Sequence, residues 1–230
     1  MGEVERIARA YRDMGARGGG RWSLANAGNR RILAERRAAF RKLLQRERFL
    51  PLNGKRILEV GCGTGTELAW MLELGAAPDQ LVGVDLLADR IESAKRSFPE
   101  IEFRQANAEH LELPPASVDL ALAITVFSSI LEATMARRVA LEISRVVRPG
   151  GGLLWYDVRY DSNSNRSVKA VGKRTIRELF PEFDGELTAI TLAPPVARRL
   201  GVFTATLYPV LSLASPLRSH LCGLLRKRGA

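Results

Sequence analysis

A glycine-rich turn between two apolar runs constrains the fold of this 230-residue chain more than any other feature. Three glycines follow the apolar run 57–60: Gly61, Gly63 and Gly65. Glycine lets a backbone turn tightly and approach a ligand closely. A second apolar run, 81–84, ends on Asp85, and an acid about 20 residues beyond such a turn is placed to accept the hydroxyls of a ribose. The pair predicts a nucleoside site in a β-α-β unit.

The spacing of the glycines separates this turn from two other nucleotide sites. The dinucleotide fingerprint Gly-x-Gly-x-x-Gly would place its third glycine at Thr66. A P-loop needs a lysine after its glycines, and none follows here. The glycines here are instead spaced as Gly-x-Gly-x-Gly, and an acid, Glu59, stands two residues before the first of them. The alternative, an ordinary glycine-rich turn, is disfavoured because Asp85 follows at the expected distance.

Composition and cysteine usage favour a single enzyme domain in a reducing compartment. Apolar residues make up 46% of the chain and charged residues 26%, which is ordinary for a globular protein. Cys62 and Cys222 have no metal-ligand spacing and no plausible disulfide framework. The first residues lack the apolar core of a signal peptide, and no apolar run reaches the roughly 18 residues of a membrane span. We therefore expect a cytoplasmic protein without a metal site or a transmembrane segment.

The net charge of +10 is distributed unevenly. Residues 1–56 hold 15 Lys and Arg against 5 Asp and Glu, whereas residues 57–186 hold 14 against 20. Six basic residues and no acid follow Glu186. Two basic flanks therefore enclose a mildly acidic centre, a pattern that can recruit an anionic partner. The alternative is that the arginines merely solvate helix faces.

Apolar periodicity predicts alternating strands and helices along the chain. Strands are predicted at 56–60, 81–85, 101–105, 118–124, 153–158, 187–192 and 221–226. Helices are predicted at 30–46, 67–74, 88–97, 133–147 and 173–180. Such alternation implies an α/β fold with a doubly wound, mostly parallel sheet of seven strands and right-handed crossovers, preceded by an N-terminal helical cap.

Four motifs in order give residues 50–158 a resemblance to the class I S-adenosylmethionine (SAM)-dependent methyltransferases, of the bacterial small-molecule or glycan type. Glu59-Val-Gly-Cys-Gly-Thr-Gly65 is similar to the first motif of that family, and Gly83-Val-Asp85 to the second. Gln105-Ala-Asn-Ala-Glu109 stands where the family often has Gly-Asp-Ala. The run 142–151 resembles the helix-to-strand signature before the fifth strand, which is also explained as a packing device.

The resemblance implies that the chain binds SAM and releases S-adenosylhomocysteine. It also implies a SAM-binding domain at 50–230 with a C-terminal helical insertion, and a basic helical cap or lid at 1–49. Asn107 replaces the usual aspartate of the adenine turn, and its amide still accepts a hydrogen bond. The implied cofactor-binding residues are Glu59, Gly61, Cys62, Gly63, Gly65, Asp85, Leu86, Asn107, Ala108, Glu109 and Thr125.

Residues beyond the fourth and fifth strands are candidates for binding and activating the methyl acceptor. The fourth strand ends without the Asn/Asp-Pro-Pro-aromatic motif of amino-group methylases of nucleic acid, which disfavours base N-methylation. Ligands of open α/β sheets bind beyond the carboxyl ends of the strands. The candidate substrate-binding residues are Trp22, Arg159, Tyr160 and Asn163. Asp157 and His110 are the candidate general bases. His220 precedes the last predicted strand and could be no more than a surface residue.

These observations predict O-methylation of a small-molecule or glycan hydroxyl. The acceptor is expected to be anionic or lipid-linked, because basic residues flank the cofactor domain on both sides. The apolar and purely basic stretch 196–228 would suit peripheral contact with a membrane, although an apolar tail usually completes the sheet. The alternative function is methylation of ribosomal or transfer RNA, with the basic N-terminal arm as the nucleic-acid footprint.

Overall fold

The computed structural model describes residues 2–18, 23–161 and 165–229, and eight strands and eight α-helices occur among them. The strands are β1 (Ile57–Val60), β2 (Leu81–Asp85), β3 (Glu102–Gln105), β4 (Val118–Ile124), β5 (Val147–Val158), β6 (Phe183–Asp184), β7 (Thr188–Leu192) and β8 (Arg218–Lys227). The helices are α1 (Glu3–Gly18), α2 (Ala27–Arg46), α3 (Thr66–Trp70), α4 (Ala88–Ser97), α5 (Ala133–Val146), α6 (Lys173–Leu179), α7 (Pro194–Arg199) and α8 (Thr204–Leu211).

All eight strands belong to one sheet with the order β3-β2-β1-β4-β5-β8-β6, and β7 also pairs with β8. Strands β1 to β5 are parallel to their neighbours, whereas β8 runs antiparallel to β5. The predicted doubly wound, mostly parallel α/β sheet is confirmed. The eighth strand is the two-residue β6, which pairs with one end of β8 while β7 pairs further along it.

Apolar burial holds the helices against both faces of the sheet. Strand β4 is central, and its residues 120–123 are completely buried. Helices α5 and α6 pack on one face through residues such as Ile143 and Ile176. Helices α2, α3 and α4 contribute Phe40, Leu68 and Ile91 to the opposite core. This burial on both faces explains the continuous apolar sequence of the central strand.

The structure corrects three element predictions. Strand β5 begins at Val147 rather than 153, and a register shift against β4 between Val118 and Leu120 accommodates the extra residues. The predicted helix 67–74 is divided into α3 and a 3₁₀ turn, Met71–Leu74. Helix α1 lies in the segment 1–49 that was expected to be helical, but no separate helix was predicted before residue 30. Across the described residues, no helix combines the length and apolar character needed to cross a membrane.

His220 is not a surface residue. Strand β8 begins two residues earlier, at Arg218, and pairs His220 with Val158 of β5. The imidazole is 6% exposed and stacks on the Tyr156 ring with 4.5 Å between ring centroids. Burial, with a smaller contribution from the Arg36 charge, lowers the pKa of His220 to about 3. His220 is therefore a neutral core residue near neutral pH.

Candidate active site

The glycine turn joins the carboxyl ends of β1 and β2. The backbone N–H groups of Gly61 and Cys62 both donate to the carbonyl oxygen of Val84, at 2.8 and 3.0 Å. Gly63 has a φ of +54°, and a side chain there would be strained. A Cβ on Gly65 would lie 2.5 Å from the Phe103 ring. The turn therefore needs glycine both for its backbone conformation and for its close packing.

The carboxylate of Asp85 is fixed at the end of β2, beside this turn. Its Oδ2 accepts the Gly63 N–H at 2.8 Å, and its Oδ1 accepts the Leu87 N–H at 2.9 Å. The residue is 8% exposed. Each carboxylate oxygen can accept a further hydrogen bond, since an ionised carboxylate offers about four lone-pair sites. The geometry presents a fixed pair of acceptors at the strand end.

Glu59 is a buried acid with one unused oxygen. The side chain is 2% exposed, and its Oε2 has no hydrogen-bond partner within the described part of the chain. Burial, reinforced by the charge of Glu67, raises the pKa of Glu59 well above its usual range. A cationic group brought next to this carboxyl would favour its ionised form. Glu59 is thus suited to a positively charged ligand.

The loop after β3 lies next to Asp85 because the Ala106 N–H donates to the Asp85 carbonyl oxygen at 3.0 Å. In this loop, Asn107 Oδ1 accepts the Glu109 N–H at 3.0 Å and Asn107 Nδ2 donates to Glu109 Oε2 at 2.9 Å. The Asn107 side chain therefore shapes a local turn. Leu86 and Ala108 are half-buried and pack against the core on this side.

His110 belongs to the same loop, where its N–H donates to the Asn107 carbonyl oxygen at 3.0 Å. The residue is exposed. Its charge helps to lower the pKa of Glu142 on α5, although the hydrogen bond from Arg145 is the largest cause. The contacts of His110 thus lead towards α5, whereas Asp157 lies at the ends of β4 and β5. The structure relates His110 to Glu142 on α5, and Asp157 to the Ser128 and Val158 N–H groups.

The backbone is strained where β4 ends. Thr125 has a φ of +56°, a conformation that β-branched residues rarely adopt. Its N–H donates to the carbonyl oxygen of Tyr156 at 2.7 Å, which ties the ends of β4 and β5 together. Strain of this kind persists where the surrounding structure imposes it, and it is frequent at active sites.

Asp157 is buried at the end of β5. Its Oδ2 accepts the Ser128 N–H at 3.0 Å and its Oδ1 accepts the Val158 N–H at 2.8 Å. The residue is 1% exposed, and this burial raises the pKa of Asp157 to about 6 although the N–H donors oppose the shift. A carboxylate with a pKa close to neutrality is suited to accept a proton.

Helix α1 brings an unpredicted tyrosine to the same end of the sheet. The Tyr11 hydroxyl hydrogen-bonds Ser129 Oγ at 2.8 Å, and the Arg90 guanidinium lies 4.3 Å from the centre of the Tyr11 ring. Burial is the main reason why the pKa of Tyr11 is raised, and the charges of Asp85 and Asp157 add to the shift. Tyr11 therefore lies within electrostatic reach of both carboxylates.

Polar contacts of its first turn fix the position of α1. Glu3 Oε1 accepts the Leu131 N–H at 2.5 Å, and Arg6 Nη2 donates to the Ser129 carbonyl oxygen at 2.5 Å. Ile7 is 6% exposed and joins the core next to α5. Helix α1 thus crosses the carboxyl ends of the strands, where the predicted site residues lie.

Two of the four predicted substrate residues are described, and they follow β5 directly. The Arg159 guanidinium stacks on the Tyr160 ring at 4.4 Å, and the two side chains are hydrogen-bonded. Tyr160 is 46% exposed. Trp22 and Asn163 lie outside the described residues, so their predicted roles stay predictions.

Solved structures share this fold. A SAM-dependent methyltransferase from Mesorhizobium loti superposes with a TM-score of 0.61 at 18% identity, covering 82% of this chain and 98% of that one. The [4+2]-cyclase SpnF superposes with a TM-score of 0.60 at 19% identity, covering 84% of this chain and 81% of the cyclase. A cyclase has the same architecture, so the fold alone does not fix the reaction.

The sequence of the site region decides the family. A family model described as a methyltransferase domain matches residues 57–151, which contain the glycine turn, Asp85 and strand β4. Residues 57–151 form a methyltransferase domain. The predicted family resemblance is therefore confirmed.

Several curated methyltransferases match part of this chain. A fatty-acid O-methyltransferase of Mycolicibacterium smegmatis is 36% identical over 110 residues, covering 47% of this chain and 39% of the relative. A trans-aconitate 2-methyltransferase of Azoarcus sp. is 34% identical over 138 residues, covering 59% and 51%. A ubiquinone biosynthesis O-methyltransferase of Paracidovorax citrulli is 31% identical over 126 residues, covering 52% and 48%. The chain thus spans about half, or less, of the length of these relatives.

The chemistry of the residues present fits SAM. The unused Glu59 Oε2 is a partner for a ligand that carries an amino group and a sulfonium. The space next to Gly63 is open, because a Cβ there would have only Arg90 Nη1 within 4 Å, at 3.6 Å. Asp85 offers fixed acceptors for two ribose hydroxyls. The predicted cofactor residues lie along the ends of β1 to β4, and their individual roles stay predictions.

Sequence reasoning missed three residues at this end of the sheet: Tyr11 on α1, Arg90 on α4 and Ser129 after β4. A signal for Tyr11 was available, because Ile7 and Tyr11 are spaced as neighbours on one face of a helix. The pairing of Ser129 with a residue 118 positions earlier had no local signal. Such contacts depend on how the chain folds over the sheet.

Proposed function

We propose that this protein transfers a methyl group from SAM to a hydroxyl group of a small molecule, glycan or lipid-linked acceptor. The observation that carries the proposal is Asp85, held by the Gly63 and Leu87 N–H groups beside the glycine turn of a methyltransferase domain. When bound, SAM supplies a methyl group activated by its sulfonium. The residues of the chain then have to orient donor and acceptor and to remove the hydroxyl proton.

The cofactor assignment follows from charge and position. We assign Asp85 to the ribose hydroxyls and Glu59 to the amino group of SAM. The positive charge of that amino group would offset the burial that raises the pKa of Glu59. The turn 61–65 would then lie against the methionine part of SAM, and Asn107 near the adenine.

We assign the role of general base to Asp157 rather than to His110. The Asp157 carboxylate lies at the end of β5, and its charge helps to raise the pKa of Tyr11 at the same end of the sheet. Methyl transfer to a hydroxyl forms the new O–CH₃ bond, breaks the S–CH₃ bond and leaves the hydroxyl proton for the base. A pKa of about 6 lets Asp157 accept that proton near neutral pH.

The acceptor class is supported by the names of the relatives and by the residues after β5. The relatives include enzymes named for fatty acids, ubiquinone biosynthesis and trans-aconitate. Arg159 and Tyr160 provide a guanidinium and a phenol next to Asp157. We propose that they bind an anionic or hydroxylated acceptor together with Trp22 and Asn163.

Calorimetry with the Asp85→Ala variant tests the cofactor site. Removing a fixed, charged acceptor pair should weaken SAM by about 2–4 kcal/mol. Asp89→Ala is the matched control, because Asp89 is exposed four residues further on, in the first turn of α4. Unchanged SAM affinity in a folded Asp85→Ala protein would refute the site.

The acceptor is tested by methyl transfer from labelled SAM to a panel of lipids, glycans, phenols and total RNA. We expect label in a hydroxyl-bearing small molecule, lipid or glycan. Labelling of RNA alone, lost steeply as salt is raised, would instead favour the RNA methyltransferase with its basic N-terminal arm.

A further inference from the structure

The segment 201–217 has an unusually apolar outer surface. It contains no charged residue. Nine large apolar or aromatic side chains are exposed among the described residues, and five of them lie here. We call these five the C-terminal apolar patch: Val202 (91% exposed), Phe203 (62%), Leu207 (43%), Val210 (61%) and Leu213 (75%). Exposed apolar side chains scattered singly need no explanation, but a contiguous group indicates an interaction site.

The orientation of α8 keeps the patch exposed. Phe203, Leu207 and Val210 are spaced by four and three residues and so share one side of the helix. Thr204 and Tyr208 on the opposite side are buried. The Tyr208 hydroxyl donates to Glu35 Oε2 at 2.7 Å and accepts the Leu192 N–H at 3.2 Å. Because these bonds fix the buried side, α8 cannot rotate to cover the patch.

Arginines flank the patch, and acids are scarce around it. Arg199 is exposed at the end of α7, and Arg30 and Arg31 are exposed on α2. Helices α2 and α7 are in close contact, since a Cβ on Gly28 would lie 2.2 Å from the carbonyl oxygen of Ala197. No acidic residue follows Glu186 in the sequence. Glu35 binds Tyr208 on the inner side of α8, and the three exposed arginines leave the surroundings of the patch with a net positive charge.

The patch lies at the same end of the sheet as the candidate active site. Segment 193–217 connects β7 to β8, and its ends are joined by the Ala193 N–H, which donates to the Leu217 carbonyl oxygen at 2.8 Å. Strand β8 enters the sheet there, with His220 paired to Val158 at the carboxyl end of β5. A partner bound to the patch would therefore lie next to the end of the sheet that contains Asp157.

We infer that the C-terminal apolar patch docks this protein on an anionic phospholipid membrane. Apolar side chains next to arginines are the combination that binds the boundary between lipid headgroups and acyl chains. A second copy of the chain is the less suitable occupant. A two-fold contact through the patch would bring two sets of arginines together, and like charges repel.

Vesicle co-sedimentation tests the docking without SAM or acceptor, so its outcome does not depend on the methyl-transfer proposal. Phosphatidylcholine vesicles with and without phosphatidylglycerol are the probes. Wild type should bind the phosphatidylglycerol vesicles more tightly, and salt should weaken that binding. The triple variant Phe203→Ser, Val210→Ser, Leu213→Ser should bind about tenfold more weakly or worse. Leu141→Ser is the matched control, because Leu141 is 67% exposed on α5.

Two further measurements keep the test decisive. Phe203→Trp should show a blue shift in its fluorescence when anionic vesicles are added and quenching by brominated lipid. Light scattering should show a wild-type monomer at the concentrations used. No binding to anionic vesicles, equal loss in the Leu141→Ser control, or a dimer that the triple variant dissociates would each overturn the proposal.

Discussion

Strand β4 and the segment 201–217 are both apolar and free of charge over most of their length, yet the strand is buried and the segment is largely exposed. Residues 120–123 of β4 are completely buried, whereas Val202 and Leu213 are 91% and 75% exposed. Strand β4 has neighbours on both sides and helices over both faces. Burial of such a strand drives folding. The exposed patch contributes no such burial, so its apolar character is explained by an interaction and not by folding.

The two regions also differ in their polar groups. At the carboxyl end of the sheet, Asp85 and Asp157 are buried and each accepts two backbone N–H groups. In segment 201–217 the Tyr208 hydroxyl binds Glu35 on the inner side of α8, and the large exposed side chains are apolar. The first region therefore has the properties of a reaction site, and the second those of a docking surface. The following predictions test that division.

The largest effect is expected from Asp157→Asn. If Asp157 is the general base, the variant should lose about 10²- to 10⁴-fold in methyl-transfer rate. In wild type only the deprotonated carboxylate accepts a proton, so activity should be constant above pH 6 and fall as pH drops below it, given a pKa of about 6. Steady-state rates across pH check both statements.

The matched control is Asp161→Asn, which changes an exposed acid four residues further on. It should keep the wild-type rate and pH profile. The triple variant of the C-terminal apolar patch should also keep the rate with a water-soluble acceptor. A rate loss in the patch variant as large as that of Asp157→Asn would contradict the assignment of separate roles to the reaction site and the docking surface.

A smaller, structural effect is expected from paired leucine substitutions. Leu122→Ala leaves a cavity in the completely buried centre of the sheet and should lower the free energy of unfolding by about 2–5 kcal/mol. Leu213→Ala removes an exposed side chain and should change it by less than about 0.5 kcal/mol. Urea unfolding measures both. Similar losses in the two variants would mean that the patch is covered in solution.

The smallest effect is expected from Tyr11→Phe. This change removes the hydrogen bond to Ser129 Oγ and keeps the ring under the Arg90 guanidinium. The free energy of unfolding should fall by about 0.5–1.5 kcal/mol. Tyr160→Phe is the exposed counterpart, since it removes a hydrogen bond to Arg159 at the surface, and it should lower the free energy of unfolding by less. An unchanged urea midpoint in Tyr11→Phe would show that the α1 contact contributes nothing to stability.

Local pattern predicted the framework of the sheet well. The bounds of β2, α4 and β4 were predicted to the residue, and the mostly parallel, doubly wound sheet followed from the alternation of strands and helices. The glycine turn and Asp85 were likewise readable, because glycine conformation and the acid at a strand end are local requirements. Continuous apolar runs and turn residues carry this information within a short window.

Contacts between distant residues were not predictable in the same way. The sequence left His220 at the surface, whereas pairing of β8 with β5 buries it against Tyr156. It also gave no reason to expect Tyr11 next to Ser129, or a carboxylate at Asp157 with a pKa close to neutrality. These properties arise from desolvation and packing by segments far apart in the chain.

The sequence by itself determined the α/β sheet, the glycine turn and the acid that follows it, because spacing and residue type dictate them locally. Only the tertiary structure decided which apolar residues are covered. The same kind of side chain is buried at Leu122 and exposed at Leu213, since the first has neighbouring strands and helices and the second lies on the outer side of a segment fixed by Tyr208. Burial is a property of the whole fold, and no short window of sequence contains it.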